Sequence, residues 1–383
     1  MNYVVVRQSP MYRQMSLDEL WFAEDVQPTL ISTNITNTRT YEVEDISYTL
    51  ARHTGKQQGV FLLMHKLSEF NKQYADLFAV ERKSLYREFY IPKRSGGLRK
   101  IDAPNEELMK ALKDLKRIFE DDFGVLYHTS AFAYIKHRST IDLVKRHQSN
   151  ESKWFAKFDL SNFFGSTTPE FLMKMISMIY PFTEVVRYPQ GAADLAKALS
   201  LAFLDGGLPQ GTPISPLLTN IMMIPVDYKL FNTLRKFNNQ RYIYTRYADD
   251  FIISSRYDFK PAEIEGLISQ TLKDFDAPFA IKKEKTRYGS SAGSNWNLGV
   301  MLNKDNQITV GHKKKKQFQA MLASYIMDKS HGVSWDYHDI QVMEGYRSYY
   351  KMVEGDTIDR IVEHINQKFN VDVVKMIKED LRS

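Results

Sequence analysis

Two aspartates stand side by side between two apolar, β-prone runs. The stretch RYIYTRYADDFIISS (241–255) reads as strand, turn and strand, with Asp249 and Asp250 at the tip. Carboxylates resist burial unless something compensates their charge. A hairpin satisfies the backbone on both sides and leaves the pair at its turn. Two adjacent carboxylates repel. Protonating one is one escape, and a divalent cation is the other. The simpler alternative is an exposed acidic tip that holds no ion.

A second acidic position sharpens the question. Asp159 ends the apolar run WFAKFDL (154–160), and SNFFGS follows. An aspartate closing a buried strand is unusual unless it is paired or metal-bound. If that strand lies beside the hairpin in one sheet, Asp159 faces Asp249. Asp159, Asp249 and Asp250 then hold two Mg²⁺ ions about 3.5–4 Å apart, the spacing used for in-line phosphoryl transfer. Mg²⁺, with Mn²⁺ as a substitute, suits hard oxygen ligands. Zinc does not fit, because the chain has no cysteine and no paired histidines near these positions.

The 383 residues include 52 Lys and Arg against 46 Asp and Glu, a formal charge of +6. The basic residues cluster at IPKRSGGLRK (91–100), IKKEKTR (281–287) and GHKKKK (311–316). Each lies near an element boundary, where side chains can reach phosphates, although a solvated lysine face explains any one cluster equally well. Without cysteine there are no disulfides. The N-terminus lacks a signal-peptide core, and Pro, Ser, Thr and Asn interrupt the longest apolar stretch. These features predict a soluble, cytoplasmic protein with no membrane span.

Residues 1–60 read as an extension with a short YVVV strand and a polar STNITNTRT loop. Phe61, Leu62, Met64, Leu67, Phe70, Tyr74 and Leu77 predict a helix over 61–83. REFYIP, KRSGG and LRKIDAP predict a hairpin with a basic tip. Pro104 is expected in the first turn of a helix that buries Leu108, Leu112, Leu115 and Phe119. Further helices are predicted over 171–180 and 217–231, and a strand over 296–302. Beyond 312 the pattern is helical, with Asp356 expected as an N-cap before Ile358, Ile361, Ile365 and Phe369. The expected division is an extension (1–60), an α/β body (61–310) and a helical subdomain (311–383).

In this order and at these spacings, FDLSNFF, LPQGTPISPLLTN and RYADDFIIS resemble the palm motifs of reverse transcriptases. IPKRSGGLRKID resembles the fingers motif before them. AFAYIKHRSTIDLVKRH (131–147) resembles the block that group II intron and retron enzymes carry upstream of the first catalytic aspartate. KKEKTR and WNLGVML resemble the two motifs after the hairpin. The resemblance covers about residues 85–305. It implies an α+β right-hand polymerase with fingers, a palm of antiparallel sheet with helices, and a helical thumb.

The resemblance also implies roles. Asp159 and Asp249 match the main metal ligands, and Asp250 an accessory one. Phe164 matches the steric gate, where a ring clashes with a ribose 2′-OH. Gln210 and Gly211 match the loop beneath the incoming nucleotide. Lys93 and Arg99 match residues that hold the triphosphate. Tyr247 falls near the primer end, and Lys285 beside the leaving pyrophosphate. Asn297, Leu298 and Gly299 match the primer grip, and Lys313, Lys314, Lys315 and Lys316 lead into a thumb helix along the template–primer duplex. Four lysines at a helix N-terminus oppose the macrodipole, which argues for an anionic partner.

Retron enzymes typically carry Val-Thr-Gly where this chain has Asn-Leu-Gly, and the length after the hairpin motifs leads one to expect no maturase, endonuclease or RNase H region. The resemblance therefore turns towards compact bacterial reverse transcriptases linked to antiviral defence. It implies a non-coding RNA template, dNTPs, a DNA product, and a second polymerase subunit or second copy as partner. The implied activity is RNA-directed DNA synthesis. Template-poor or protein-primed synthesis by the same site is one alternative, and an inert nucleic-acid-binding scaffold is another.

Overall fold

The computed structural model describes residues 44–93, 96–122, 127–237, 239–291 and 299–382. The expected strand at 3–6 and loop at 32–40 lie outside them, as do Asn297 and Leu298. Helix α1 (Glu44–Gln73) runs through position 60, the expected end of the extension. Its buried stripe is Val60, Leu63, Leu67 and Phe70, continued by Tyr74 and Leu77 beyond its end. Steps of three and four residues keep those side chains on one face. Phe61 and Leu62, expected on that face, are 54% and 49% exposed. They sit one position out of phase with it.

Strands β1 (Tyr86–Pro92) and β2 (Leu98–Pro104) pair antiparallel, from Tyr86 opposite Pro104 to Pro92 opposite Leu98. Pro104 closes β2 and does not open the next helix. Asn105 caps α2 (Glu106–Arg117), its side chain accepting from the Leu108 amide at 2.9 Å. The four predicted apolar residues of that helix are buried.

Next come α3 (Thr140–Ser149), β3 (Trp154–Asp159), α4 (Pro169–Ile176), α5 (Phe182–Val185) and α6 (Pro189–Ser200). The helix predicted over 171–180 starts earlier, capped by Thr168, and stops at 176. The one predicted over 217–231 is two helices, α7 (Ser215–Met222) and α8 (Ile224–Arg235). Pro225 explains the break, since it cannot donate to a preceding turn but fits the start of a new one.

Strands β4 (Ile243–Tyr247) and β5 (Asp250–Ser255) form the predicted hairpin. After α9 (Pro261–Asp274) comes β6 (Arg287–Ser290), followed by the short pair β7 (Met301–Leu302) and β8 (Ile308–Thr309). The strand predicted over 296–302 is described only as β7.

The last helices are α10 (His312–Ser330), α11 (Tyr337–Phe369) and α12 (Val373–Asp380). Asp356 is not an N-cap; it lies inside α11. Two residues earlier, Glu354 leaves helical geometry (φ −139°, ψ 59°) and kinks the helix. The polar Glu-Gly-Asp run marks that kink. Among the described residues, no helix is long and apolar enough to cross a membrane.

The chain forms two compact units. The described part of one comes from residues 44–134, 160–233 and 265–281, and that of the other from 135–159, 234–264 and 282–382. The second holds a four-stranded antiparallel sheet in the order β4-β5-β3-β6 together with α10–α12. Phe155, Ala156, Phe158, Phe251, Ile252 and Ile253 are buried. The central strands therefore read as mostly apolar runs, with Lys157 the one charged residue inside β3.

Candidate active site

Strand pairing brings the carboxylates together. Asp159, the last residue of β3, lies opposite Asp250, the first of β5. Asp249 sits in the turn beside them, and Tyr247 pairs with Asp250 across the hairpin. The turn itself is Ala248-Asp249. Ala248 holds φ +56°, a left-handed conformation that costs a non-glycine residue about 1–2 kcal/mol. Fully buried Arg246 braces it, donating from Nη1 to the Ala248 carbonyl at 3.1 Å.

Behind the hairpin, fully buried His147 of α3 shares hydrogen bonds with Ser254 Oγ on β5 (2.6 Å) and Thr245 Oγ1 on β4 (2.8 Å). Burial pushes its pKa down to about 3, so the ring is neutral. Arg246 and His147 both went unrecognised in the sequence. Each had a signal: a charged residue inside an apolar strand, and a histidine on the apolar face of a helix.

Two lysines meet the carboxylates. Lys285 Nζ lies 3.1 and 3.0 Å from the two oxygens of Asp159. The Lys282 amide donates to the Asp159 carbonyl at 2.8 Å, and this pins the Lys283–Lys285 turn to the end of β3. Lys157 Nζ lies 2.7 Å from Asp250 Oδ2. Burial raises the pKa of Asp249, and the Asp159 charge adds to that rise. Burial pushes Asp250 up to about 6 despite Lys157.

Among the described residues, no three His, Asp or Glu side chains are gathered tightly enough to hold one ion. The three-carboxylate cage expected from the sequence is thus not closed, because Asp159 and Asp250 are each turned to an ammonium. The donor set nonetheless fits a hard cation. Asp250 Oδ1 is buried and accepts no hydrogen bond, and Asp249 is under-compensated by its surroundings.

The remaining expected residues fall in two places. Gly299 and the four lysines share the unit of the carboxylates. Lys314 Nζ donates to the Gly299 carbonyl at 2.9 Å, and Lys315 Nζ meets Glu354 Oε1 at 2.8 Å. Those two lysines tie α10 down, whereas Lys313 and Lys316 are exposed.

Lys93, Arg99, Phe164, Gln210 and Gly211 belong to the other unit. Lys93 and Arg99 are exposed on the β1–β2 hairpin. The Gln210 carbonyl accepts from the Asp102 amide of β2 at 2.8 Å. Gly211 (φ +125°) lies so near β2 that a Cβ would come 2.8 Å from the Asp102 carbonyl oxygen. Within its unit, the close backbone neighbour of this glycine is β2. Phe163 is core, while Phe164 is half-buried, and its carbonyl accepts from the Leu208 amide at 3.0 Å.

A strand-borne aspartate beside an aspartate-bearing hairpin turn, with cations to hand, is the arrangement of a nucleotidyl-transferring palm. The model of the reverse transcriptase (RNA-dependent DNA polymerase) family matches residues 91–320. That is more than half of the chain, and the chain belongs to this family: it is an RNA-directed DNA polymerase with a right-hand polymerase fold, mixed helix and antiparallel sheet.

Retron reverse transcriptases of bacteria are among the proteins it resembles. It is 26% identical over 309 residues to the retron Ec83 reverse transcriptase of Escherichia coli, covering 77% of this chain and 90% of that one. It is 27% identical over 277 residues to the retron Ec73 enzyme of the same species, covering 70% and 83%. Asn-Leu-Gly in place of Val-Thr-Gly is thus a local departure within a retron-like chain. Apo telomerase from Candida tropicalis is similar at a TM-score of 0.43 and 13% identity, over 82% of this chain and 66% of that one.

Proposed function

We propose that the chain extends a primer 3′ end with dNTPs on an RNA template, with Asp159 and Asp249 holding two Mg²⁺ ions and Asp250 assisting. The observation that carries this reading is the register placing Asp159 opposite Asp250, with Asp249 in the adjoining turn. When bound, the ions lower the pKa of the attacking hydroxyl and stabilise charge on the leaving pyrophosphate. The chain's own residues do the rest. Lys93 and Arg99 grip the triphosphate, and Gln210 and Gly211 support the nucleotide. Phe164 excludes a 2′-OH, and Tyr247 and Gly299 seat the primer. Lys285, released from Asp159, supplies a proton to the leaving group. Lys313 and Lys316 neutralise duplex phosphates. The sequence resemblance to compact bacterial reverse transcriptases extends this reading to a non-coding RNA template and a role in antiviral defence.

Primer extension tests this. Purified protein with RNA template, DNA primer, Mg²⁺ and dNTPs should make DNA, and Asp249→Asn should lower the rate by at least about a thousandfold while primer–template binding persists. Normal extension by the Asn variant would overturn the site assignment. A second readout needs no turnover: Mg²⁺ should raise the melting temperature of the wild type more than that of Asp249→Asn.

A further inference from the structure

The far end of the sheet from the carboxylates carries a concavity. Strand β3 runs from Trp154 to Asp159, about 17 Å at the usual rise per residue. At the Trp154 end, Ser255 lies opposite Trp154 and Ile243 opposite Ser254. There, between α8 and β4, lies the concavity of about 410 Å³, lined in part by Asn150, Arg235, Phe237, Arg241 and Tyr242.

Three observations single out this concavity. First, Arg241 holds φ +49°, a left-handed backbone that a non-glycine residue adopts at a cost. Its carbonyl accepts from Asn150 Nδ2 at 3.0 Å, and the Asn150 carbonyl accepts from Arg256 Nε at 2.6 Å. Asn150 is itself buried. The scaffold thus holds a strained turn that leaves the Arg241 side chain exposed.

Second, Phe237 is 45% exposed and meets Tyr242 edge-on, with ring centroids 6.1 Å apart. Tyr242 meets Phe259 in turn, Phe259 meets Tyr288, and Tyr288 stacks on Trp154 at 5.7 Å. Phe237 and Tyr242 line the concavity, and the row of rings runs on from them to Trp154.

Third, the charge is one-sided. Lys153, Arg235, Lys236 and Arg241 are exposed here. The neighbouring acids are engaged: Glu151 with Arg256 (3.2 Å), Asp258 with the Tyr288 hydroxyl, and Glu263 near Lys260 (3.6 Å).

We propose that this surface binds a segment of single-stranded nucleic acid, one base packed on Phe237 and Tyr242 and the flanking phosphates held by Arg241, Arg235 and Lys236. Rings interleaved with guanidinium groups suit that ligand, because every base has a stacking face and every linkage a charge. An acidic peptide would use the cations but gain little from an exposed ring. The surface deepens the polymerase reading, on which it rests only for the source of the strand. A template or product held here stays tethered at the opposite end of the sheet from the carboxylates.

The test uses the full chain with its active site filled by a short unlabelled primer–template. A labelled unstructured RNA 20-mer, or DNA of the same sequence, is titrated at several salt concentrations. Arg241→Glu should weaken binding by at least about fivefold and lower the salt slope by about one. Phe237→Ala should weaken it by about fivefold or more. Arg241→Lys should restore most of the loss. Ultraviolet crosslinks should map to residues 235–242. Extension of a short homopolymer primer–template should stay within about twofold of wild type for each variant. Preference between the RNA and DNA arms identifies the strand as template or product. Unchanged affinity and salt slope in both variants would overturn the proposal, as would losses of binding and extension in equal proportion. If the wild type binds and crosslinks as expected but extends nothing, the polymerase reading fails and this surface stands.

Discussion

At the scale of single residues, half-buried Asp250 and fully buried His147 pull stability in opposite directions over one pH range. Asp250 has a raised pKa, so its ionisation disfavours the fold. Its contribution is fully present below the usual carboxylate value of 3.8 and is lost as pH rises to about 6. His147 has a lowered pKa, so its contribution is fully present above 6.5 and is lost as pH falls towards about 3. Neither slope exceeds about 1.4 kcal/mol per pH unit, and they offset between pH 4 and 6. In chelator, Asp250→Asn should unmask the histidine and lose stability more steeply on acidification than the wild type. His147→Gln should do the reverse. Denaturant melts across pH 4–7 would check both.

Arg246 belongs to the same scale. Lysine keeps the charge but not the planar fork. Arg246→Lys should therefore bind primer–template within about twofold of wild type yet add nucleotide about tenfold more slowly in single-turnover assays. A purely structural role would instead lower the folded fraction and leave the rate of the folded enzyme unchanged. Ala248→Gly should hold or raise the melting temperature while slowing extension, since glycine accepts the turn without fixing it.

At the scale of elements, Glu354 joins three pieces of chain. One carboxylate oxygen accepts from Thr309 Oγ1 (2.9 Å) and the Val310 amide (2.8 Å), and the other meets Lys315. Both partners of the ion pair are mostly buried. Removing one leaves the other uncompensated, at a cost of about 3–5 kcal/mol. Glu354→Gln should speed hydrogen exchange at the start of α10 and across β8, whereas Lys313→Ala should leave exchange unchanged and reduce only the salt dependence of duplex binding.

What the sequence disclosed about elements follows from the range of the forces involved. The β4–β5 hairpin, β3 and the buried face of α2 were legible because alternation and helical spacing are local. The phase of α1 was not, because Phe61 and Leu62 are as apolar as the residues that won burial. Asp356 resembled a cap because a kink and a helix start share the same polar composition. In the site, the meeting of Asp159 with the hairpin aspartates was legible from motif order; the contact of Lys285 with Asp159 was not. The Lys157–Asp250 pair and the Arg246 brace depend on register and on a turn conformation that residue types do not encode.

At the scale of the whole molecule, neither compact unit is a continuous piece of chain, and the expected boundary at 310 does not fall between them. Residues 282–382 contribute β6 to the sheet and α10–α12 to the same unit. A chain truncated after residue 310 should therefore lose more than its last helices. Asn306, which exchanges hydrogen bonds with Gln148 of α3, sits just before that cut. Exchange in α3 should rise, and the melting temperature should fall by several degrees.

One unit gives way to the other between Asp159 and Leu160, directly after the first of the three aspartates proposed to hold metal. Each unit is assembled from three separate stretches of sequence, so neither can be duplicated, lost or exchanged as one stretch of gene. Recombination between related genes can swap what lies before or after this body, but a crossover inside it mixes both units at once. Change within it is left to substitution, one residue at a time.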